Sequence, residues 1–302
     1  MVDTKQNCAT EDKVPALLAF WGSLIHTLPP VKVGGLDWSV TIVTVFLLTA
    51  ARFAAEYVLI AVFGWPADSE LTQEGCCSIT AFIHSFTLVP GLWQCFRSHP
   101  YRPSEKITEA PVWWQDAASA LTQFCTGYMI FDATVNILWP RRETGLTTTD
   151  SLFLGHHFAT AFVMVSARVV GAGQQSVLMC MFLGEFTNPF MSSYHISKKA
   201  MRLACCNGPW MEGCFRVLEI VFAGVYVVVR GPVAPLVFTP MTWDLWTSGR
   251  KHIPIWLLGL WTFMIYGVLI GSWPWTVECW GLLTKRATEM GFLEAAVRDG
   301  EL

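Results

Sequence analysis

The chain has 302 residues, of which 53% are hydrophobic and 14% charged, with a formal net charge of −3 and a mean hydropathy of +0.43. A water-facing surface needs about a quarter of its residues charged, so an ordinary soluble globule is excluded. No basic block marks the chain for nucleic acid, and one helical membrane bundle is a better reading than two soluble domains.

Residues 1–36 read as a polar tail of mixed charge leading into a weakly amphipathic segment at 14–28, closed by Pro29 and Pro30. No pattern of basic head, apolar run and small-residue cleavage site suggests a signal peptide. Seven stretches then approach the roughly 20 apolar residues that cross a hydrocarbon core: 38–63, 75–96, 112–139, 151–170, 174–195, 210–238 and 253–280. Gly- and Pro-rich separators divide them, as turns do. The expected fold is therefore all-α, an integral membrane bundle of about seven transmembrane helices. Its parts are the tail 1–36, a first span and loop over 37–74, a principal domain over 75–283, and a polar tail over 284–302 that reads as a surface helix or a disordered end.

Asp150 is placed to cap the fourth helix. Lys and Arg number eight on each side of the seven spans, so charge counting leaves the orientation open. Fifteen tryptophans fit interfacial anchoring. Of the ten cysteines, Cys95, Cys125, Cys180 and Cys279 lie inside apolar stretches, where a thiol acts as a small hydrophobe. The doublets Cys76-Cys77 and Cys205-Cys206 lie near segment ends and offer S-acylation sites, with packing the favoured reading.

Ionisable groups inside the spans carry the functional signal, because such groups are expensive in lipid. On the first span Thr49, Arg52 and Glu56 share a face, which suggests an internal ion pair. On the second, His84 lies between Thr80 and Thr87 and reads first as a hydrogen-bonded interior group. On the third, Tyr128, Asp132 and Asn136 are in register; a carboxyl there is either neutral and inert or orients a histidine, and the context favours the second. On the fourth, His156 and His157 point about 100° apart with Thr160 one turn away, so both face one cavity only if the helix presents its edge to it. Helix-packing donors are the bland alternative. On the fifth, Glu185, Asn188, Ser192 and His195 form a stripe. Pro189 has no N–H, which releases the Glu185 carbonyl, and a free carbonyl is tolerated only against protein or a wet cavity. On the sixth, Arg216, Glu219, Tyr226 and Arg230 line up; snorkelling is the bland alternative for Arg230.

Five pieces in order resemble the TLC domain family, the membrane proteins named for TRAM, LAG and CLN relatives. They are Ser78-Ile-Thr-Ala-Phe-Ile-His84-Ser, Gly127-Tyr-Met-Ile-Phe-Asp132, Leu154-Gly-His156-His157-Phe-Ala-Thr160, Leu183-Gly-Glu185-Phe-Thr187-Asn188-Pro189-Phe190, and Phe222 through Arg230 and Pro232. The resemblance covers residues 75 to about 280. In the ceramide synthase branch it implies acyl transfer from acyl-CoA with the double histidine at the active site. That branch carries an aspartate-rich motif soon after the histidines, whereas no aspartate follows His157 as far as Arg168. The chain looks more like the shorter TLC-domain-containing branch, associated with membrane lipid composition and with suspected acyltransferase activity.

The resemblance and the residues together set the expectations. The candidate catalytic residues are His156, His157, Asp132 and Glu185, and the candidate substrate-binding residues are His84, Tyr128, Thr160, Asn188, Arg216 and Arg230. One histidine of the doublet acts as general base or acyl acceptor, for which an unperturbed pKa near 6.5 is suited. Asp132 or Glu185 fixes its tautomer, and Arg216 or Arg230 is a candidate phosphate ligand. Acyl-CoA is a candidate substrate, with no bound cofactor and no metal expected. Membrane lipids are the expected partners, a homodimer is left open, and the resemblance implies the endoplasmic reticulum or another endomembrane. The rival is a non-catalytic lipid sensor, binder or trafficking protein with the same cavity. A metal-dependent desaturase or hydroxylase needs repeated histidine boxes, and the chain has seven histidines. A seven-span receptor is suggested by span number alone.

Overall fold

A backbone in lipid must satisfy its own hydrogen bonds, and the chain does so as a succession of helices. The computed structural model describes residues 14–98, 102–139, 145, 147–203, 206 and 208–289, without the side chain of 149. The terminal segments 1–13 and 290–302, the loop cations Arg141 and Arg142, His99 and Cys205 lie outside the described residues. In order, the helices are α1 (Ala16–Thr27), α2 (Ser39–Ala61), α3 (Glu70–Ser98), α4 (Val112–Leu138), α5 (Thr148–Val170), α6 (Gln174–Glu185), α7 (Asn188–Ala200), α8 (Pro209–Val228), α9 (Ala234–Thr247), α10 (Ile255–Gly271) and α11 (Trp273–Glu289). A two-residue antiparallel hairpin, Lys32–Val33 with Leu36–Asp37, joins α1 to α2.

Five segments are long and apolar enough to cross a membrane: Ser39–Ala61, Glu70–Ser98, Asp150–Val170, Pro209–Lys251 and Ile255–Glu289. Their outward faces carry large apolar side chains such as Phe46, Tyr57, Phe158, Leu236 and Phe263. Water-facing surfaces of that kind are rare on monomers, and lipid is the solvent that suits them. Trp210, Trp256 and Trp273 are exposed near helix ends, as anchors are. Trp21, Trp65, Trp114 and Trp261 are instead buried packing residues.

Two of the seven expected stretches depart from that pattern. The third forms α4, 27 residues or about 40 Å long, but it is too polar to count as a lipid-facing span. The reason is its position: α4 packs against α1, α2, α3, α5 and α6. Its Thr122, Gln123 and Thr126 are buried in protein rather than lipid. Gly127 lets α2 approach closely, since a Cβ there would meet the Thr41 carbonyl oxygen at 2.7 Å. The fifth stretch breaks at Phe186–Thr187 into α6 and α7. Pro189 cannot close the bond to the Glu185 carbonyl, and the helix restarts with the proline in its first turn.

Other boundaries shift for local reasons. The sixth stretch runs past Phe238 to Thr247, because a five-residue π-helical turn, Val229–Val233, absorbs Pro232 without ending the helix. The last stretch divides at Ser272, and α11 continues through Glu289 where a tail was expected from Thr284. Thr147, not Asp150, is the N-cap of α5; Asp150 is the third residue of a reciprocal capping box. Arg52 and Glu56 form no ion pair: the buried Arg52 Nη1 donates to Cys77 Sγ at 3.3 Å instead. Cys76 is fully buried inside α3, as packing rather than acylation requires.

Candidate functional site

Helix α4 packs against α3, α5 and α6, the helices that carry the rest of the site. His84 of α3 is 0% exposed, its ring stacked on Tyr128 at 3.9 Å between centroids and near-parallel to Phe124 at 5.2 Å. Its Nδ1 lies 3.4 Å from Glu185 Oε2 at the end of α6. Ser85 Oγ donates to that same oxygen at 2.7 Å, and Asn188 Nδ2 at 2.9 Å from the first turn of α7. A buried carboxylate is tolerable when several donors converge on it, and the break after Glu185 is what brings Asn188 within reach.

A second carboxylate–histidine pair sits one α4 turn further on. Asp132 Oδ2 lies 3.2 Å from His157 Nδ1, at hydrogen-bonding distance though not aligned as a hydrogen bond. Asn136 Nδ2 donates to that oxygen at 3.0 Å. The Tyr128 ring stands edge-on to His157 with centroids 6.0 Å apart, so Tyr128 separates the two pairs.

Roughly 100° round α5 from His157 lies a cavity walled by α4, through Cys125, and by α5, α6, α9, α10 and the π turn. His156, Ala159, Thr160, Val163 and Met164 line it from α5, and Cys180, Met181, Gly184 and Glu185 from α6. Arg230, Phe238, Met264, Ile265 and Val268 complete it, and the space open to the centres of water molecules is about 70 Å³, several waters' worth. The π turn aims Arg230 inward, where its Nη2 donates to the Gly184 carbonyl at 3.0 Å and its guanidinium lies 5.9 Å from the Tyr226 ring centroid. Two irregular backbone stretches, the π turn and the α6–α7 break, thus meet at the cavity, where membrane proteins tolerate them.

The expected picture of two imidazoles projecting together into one pocket is therefore corrected. The rings are 5.7 Å apart and inclined at 50°; His156 lines the cavity, while His157 turns to Asp132. Thr160, Glu185 and Arg230 also line the cavity. Asp132, Tyr128, His84 and Asn188 do not line it. Neither expected carboxylate partner sits on His156, since Asp132 is beside His157 and Glu185 beside His84. Arg216 is not brought to the site at all: it pairs with Glu212 on the outer face of α8. Glu219, its neighbour in the stripe, is held by Arg286 of α11 at 2.5 Å. His195 packs among Tyr194 and Phe222, away from the cavity lining.

Two contributors went unnoticed in the sequence. Ser85 is adjacent to His84, and its spacing alone gave no reason to prefer it to Ser78. The Gly184 carbonyl carries no side-chain signature. The apolar wall could have been found, because Ala159, Val163 and Met164 continue the helical stripe that begins at His156. Among the described residues, no group of three or more His, Cys, Asp or Glu side chains is arranged to hold a metal ion.

A family model for the TLC domain matches residues 75–280. A curated TLC domain-containing protein of Arabidopsis thaliana is 29% identical over 137 residues, covering 43% of this chain and 52% of that protein. The chain thus spans about half the length of the curated relative it matches.

Proposed function

The chain belongs to the TLC domain family, and from that premise we propose that it is a lipid-handling protein of intracellular membranes that transfers an acyl group within its cavity. The observation that carries this reading is His156, an imidazole on an otherwise largely apolar wall that meets no hydrogen-bond partner in the protein. His156 takes the proton from an amine or hydroxyl acceptor, whose heteroatom then bonds to the carbonyl carbon of an acyl-CoA. The carbon–sulfur bond breaks, and the proton passes to the leaving thiolate. General-base catalysis of this kind contributes about 10²–10⁴-fold. His157, held beside Asp132, acts as a positioning residue that fixes the α5 edge. The endoplasmic reticulum or another endomembrane is the proposed site of action.

The test is acyl transfer by purified protein from a long-chain acyl-CoA to lysolipid or long-chain base acceptors. Turnover that falls at least a hundredfold in His156→Ala supports the proposal; wild-type turnover no higher than that of the variant ends it. A rival reading, a non-catalytic lipid binder, is favoured by the lack of any acidic residue from Phe158 to Arg168. Full rescue of cellular lipid composition by the His156→Ala/His157→Ala protein decides for that rival.

A further inference from the structure

Threonines inside the described helices mostly return their hydroxyl to the carbonyl four residues earlier. Thr44, Thr49, Thr122, Thr126, Thr134 and Thr262 all do so. Thr160 does not, although it is mid-helix: its hydroxyl makes no hydrogen bond and the residue lines the cavity. Across that space, Arg230 uses only Nη2, on the Gly184 carbonyl, while its Nε is enclosed and unpartnered. His156, one turn before Thr160, also meets no hydrogen-bond partner. Three polar groups in one largely apolar chamber therefore keep unused hydrogen-bonding capacity. His156 Nδ1 and Arg230 Nε are enclosed, and Thr160 beside them is half-buried on the same wall. Enclosed polar groups are normally satisfied, so this cluster calls for a partner from outside the chain.

We infer that Thr160, Arg230 and His156 form the seat for the carboxylate of a long-chain fatty acid, with the first part of its hydrocarbon chain against Val163, Met181, Met264 and Val268 and the rest leaving through the chamber's open side. The inference rests on the lipid-acyl reading above, since the carbonyl oxygen of an acyl donor would use the same seat. Charge selects a carboxylate over a phosphate. The chamber presents one guanidinium, and the Glu185 carboxylate shares its wall. A single negative charge matches that cation, whereas a phosphate dianion would be left with an excess charge facing Glu185. Guanidinium recognises carboxylate through paired N–H donors, and the hydroxyl supplies one more.

Equilibrium binding tests this without turnover. Radiolabelled palmitate is titrated onto the purified full-length protein in detergent, with methyl palmitate, hexadecanol and lysophosphatidate as competitors. Wild-type protein is expected to bind palmitate and to release it to neither neutral analogue nor to lysophosphatidate at equal concentration. Thr160→Val, which removes a hydroxyl with no partner in the protein, should keep its melting temperature and weaken binding by about threefold to tenfold. Arg230→Gln should weaken it by at least about tenfold, and the outward Arg216→Ala should leave it unchanged. Because Arg230→Gln also removes the bond to Gly184, Thr160→Val decides alone if that protein does not fold. Wild type that fails to bind palmitate, or Thr160→Val of wild-type affinity, overturns the seat, as does lysophosphatidate that outcompetes palmitate. Palmitate binding lost in these variants but no acyl transfer by wild type would instead sink only the transferase reading. Transfer dependent on His156 with palmitate affinity indifferent to Thr160 and Arg230 would sink only the seat.

Discussion

His157 and His156 stand side by side on α5, yet they belong to two differently built regions. In the rear region, around α3 and α4, the acids have company: Asp132 has His157 and Asn136, and Glu185, which also reaches the chamber wall, has His84, Ser85 and Asn188. The front region, the chamber itself, holds His156, Thr160 and most of the Arg230 guanidinium without hydrogen-bond partners in the protein. The rear imidazoles make no aligned hydrogen bond either, but His84 lies 3.4 Å and His157 3.2 Å from a carboxylate oxygen, and His156 has no such neighbour. The contrast separates groups that hold the bundle together from groups left over for something else. Composition cannot make that distinction, because both regions are drawn from the same histidines, threonines and charged residues.

If the rear region is structural, its removal should be felt first in stability. Glu185→Ala strips the acceptor from Ser85 and Asn188, and the charge from beside His84, in the buried interior. It is expected to destabilise by about 3–5 kcal/mol, read as a large fall in thermal midpoint in detergent. Asp132→Ala leaves His157 and Asn136 short of one acceptor and should cost about 1–3 kcal/mol. A midpoint unchanged by either substitution would break the comparison at its rear half. The front region should behave oppositely. His156→Ala removes a ring with no hydrogen bond and should shift stability by no more than about 1 kcal/mol, while acyl transfer falls at least about a hundredfold. Thr160→Val should be the smallest change, within about 0.5 kcal/mol by the same unfolding measurement. A large loss of stability in either front variant would erase the difference between the two regions.

The bundle and the residues at its heart could be read from the sequence for different reasons. Hydropathy marked the stretches because lipid-facing helices must be apolar along most of their length, and α2, α3 and α5 are. It failed at α4, whose polar residues are paid for by protein neighbours that a one-dimensional profile does not contain. It also placed α1 in a tail, whereas Leu18 and Trp21 are core residues, with Trp21 packed edge-on against Phe124. The costliness of ionisable groups in lipid picked out His84, Asp132, His156, His157, Glu185 and Arg230, all of which the fold gathers around α4 and α5. Arg216 satisfied the same criterion but faces outward, since a helical stripe of four turns drifts across the surface and only its far end meets the cavity. What periodicity could not supply was pairing. Nothing in a spacing says that Asp132 meets the second histidine and not the first, because that depends on the roll of α5 against α4.

The π turn at Val229–Val233 acts as a phase shifter between α8 and α9. Closing its ring from the Ala234 N–H to the Val229 carbonyl accommodates one residue more than a regular turn. Upstream, α8 can then keep its face on α7 and α11, while downstream α9 presents Phe238 to the chamber. One residue corresponds to about 100° of winding, so deleting Gly231 would let the helix close up regularly and rotate its two halves against each other. The guanidinium and Phe238 could then no longer address the same space, which makes segment length, as much as residue identity, a requirement of this part of the chain.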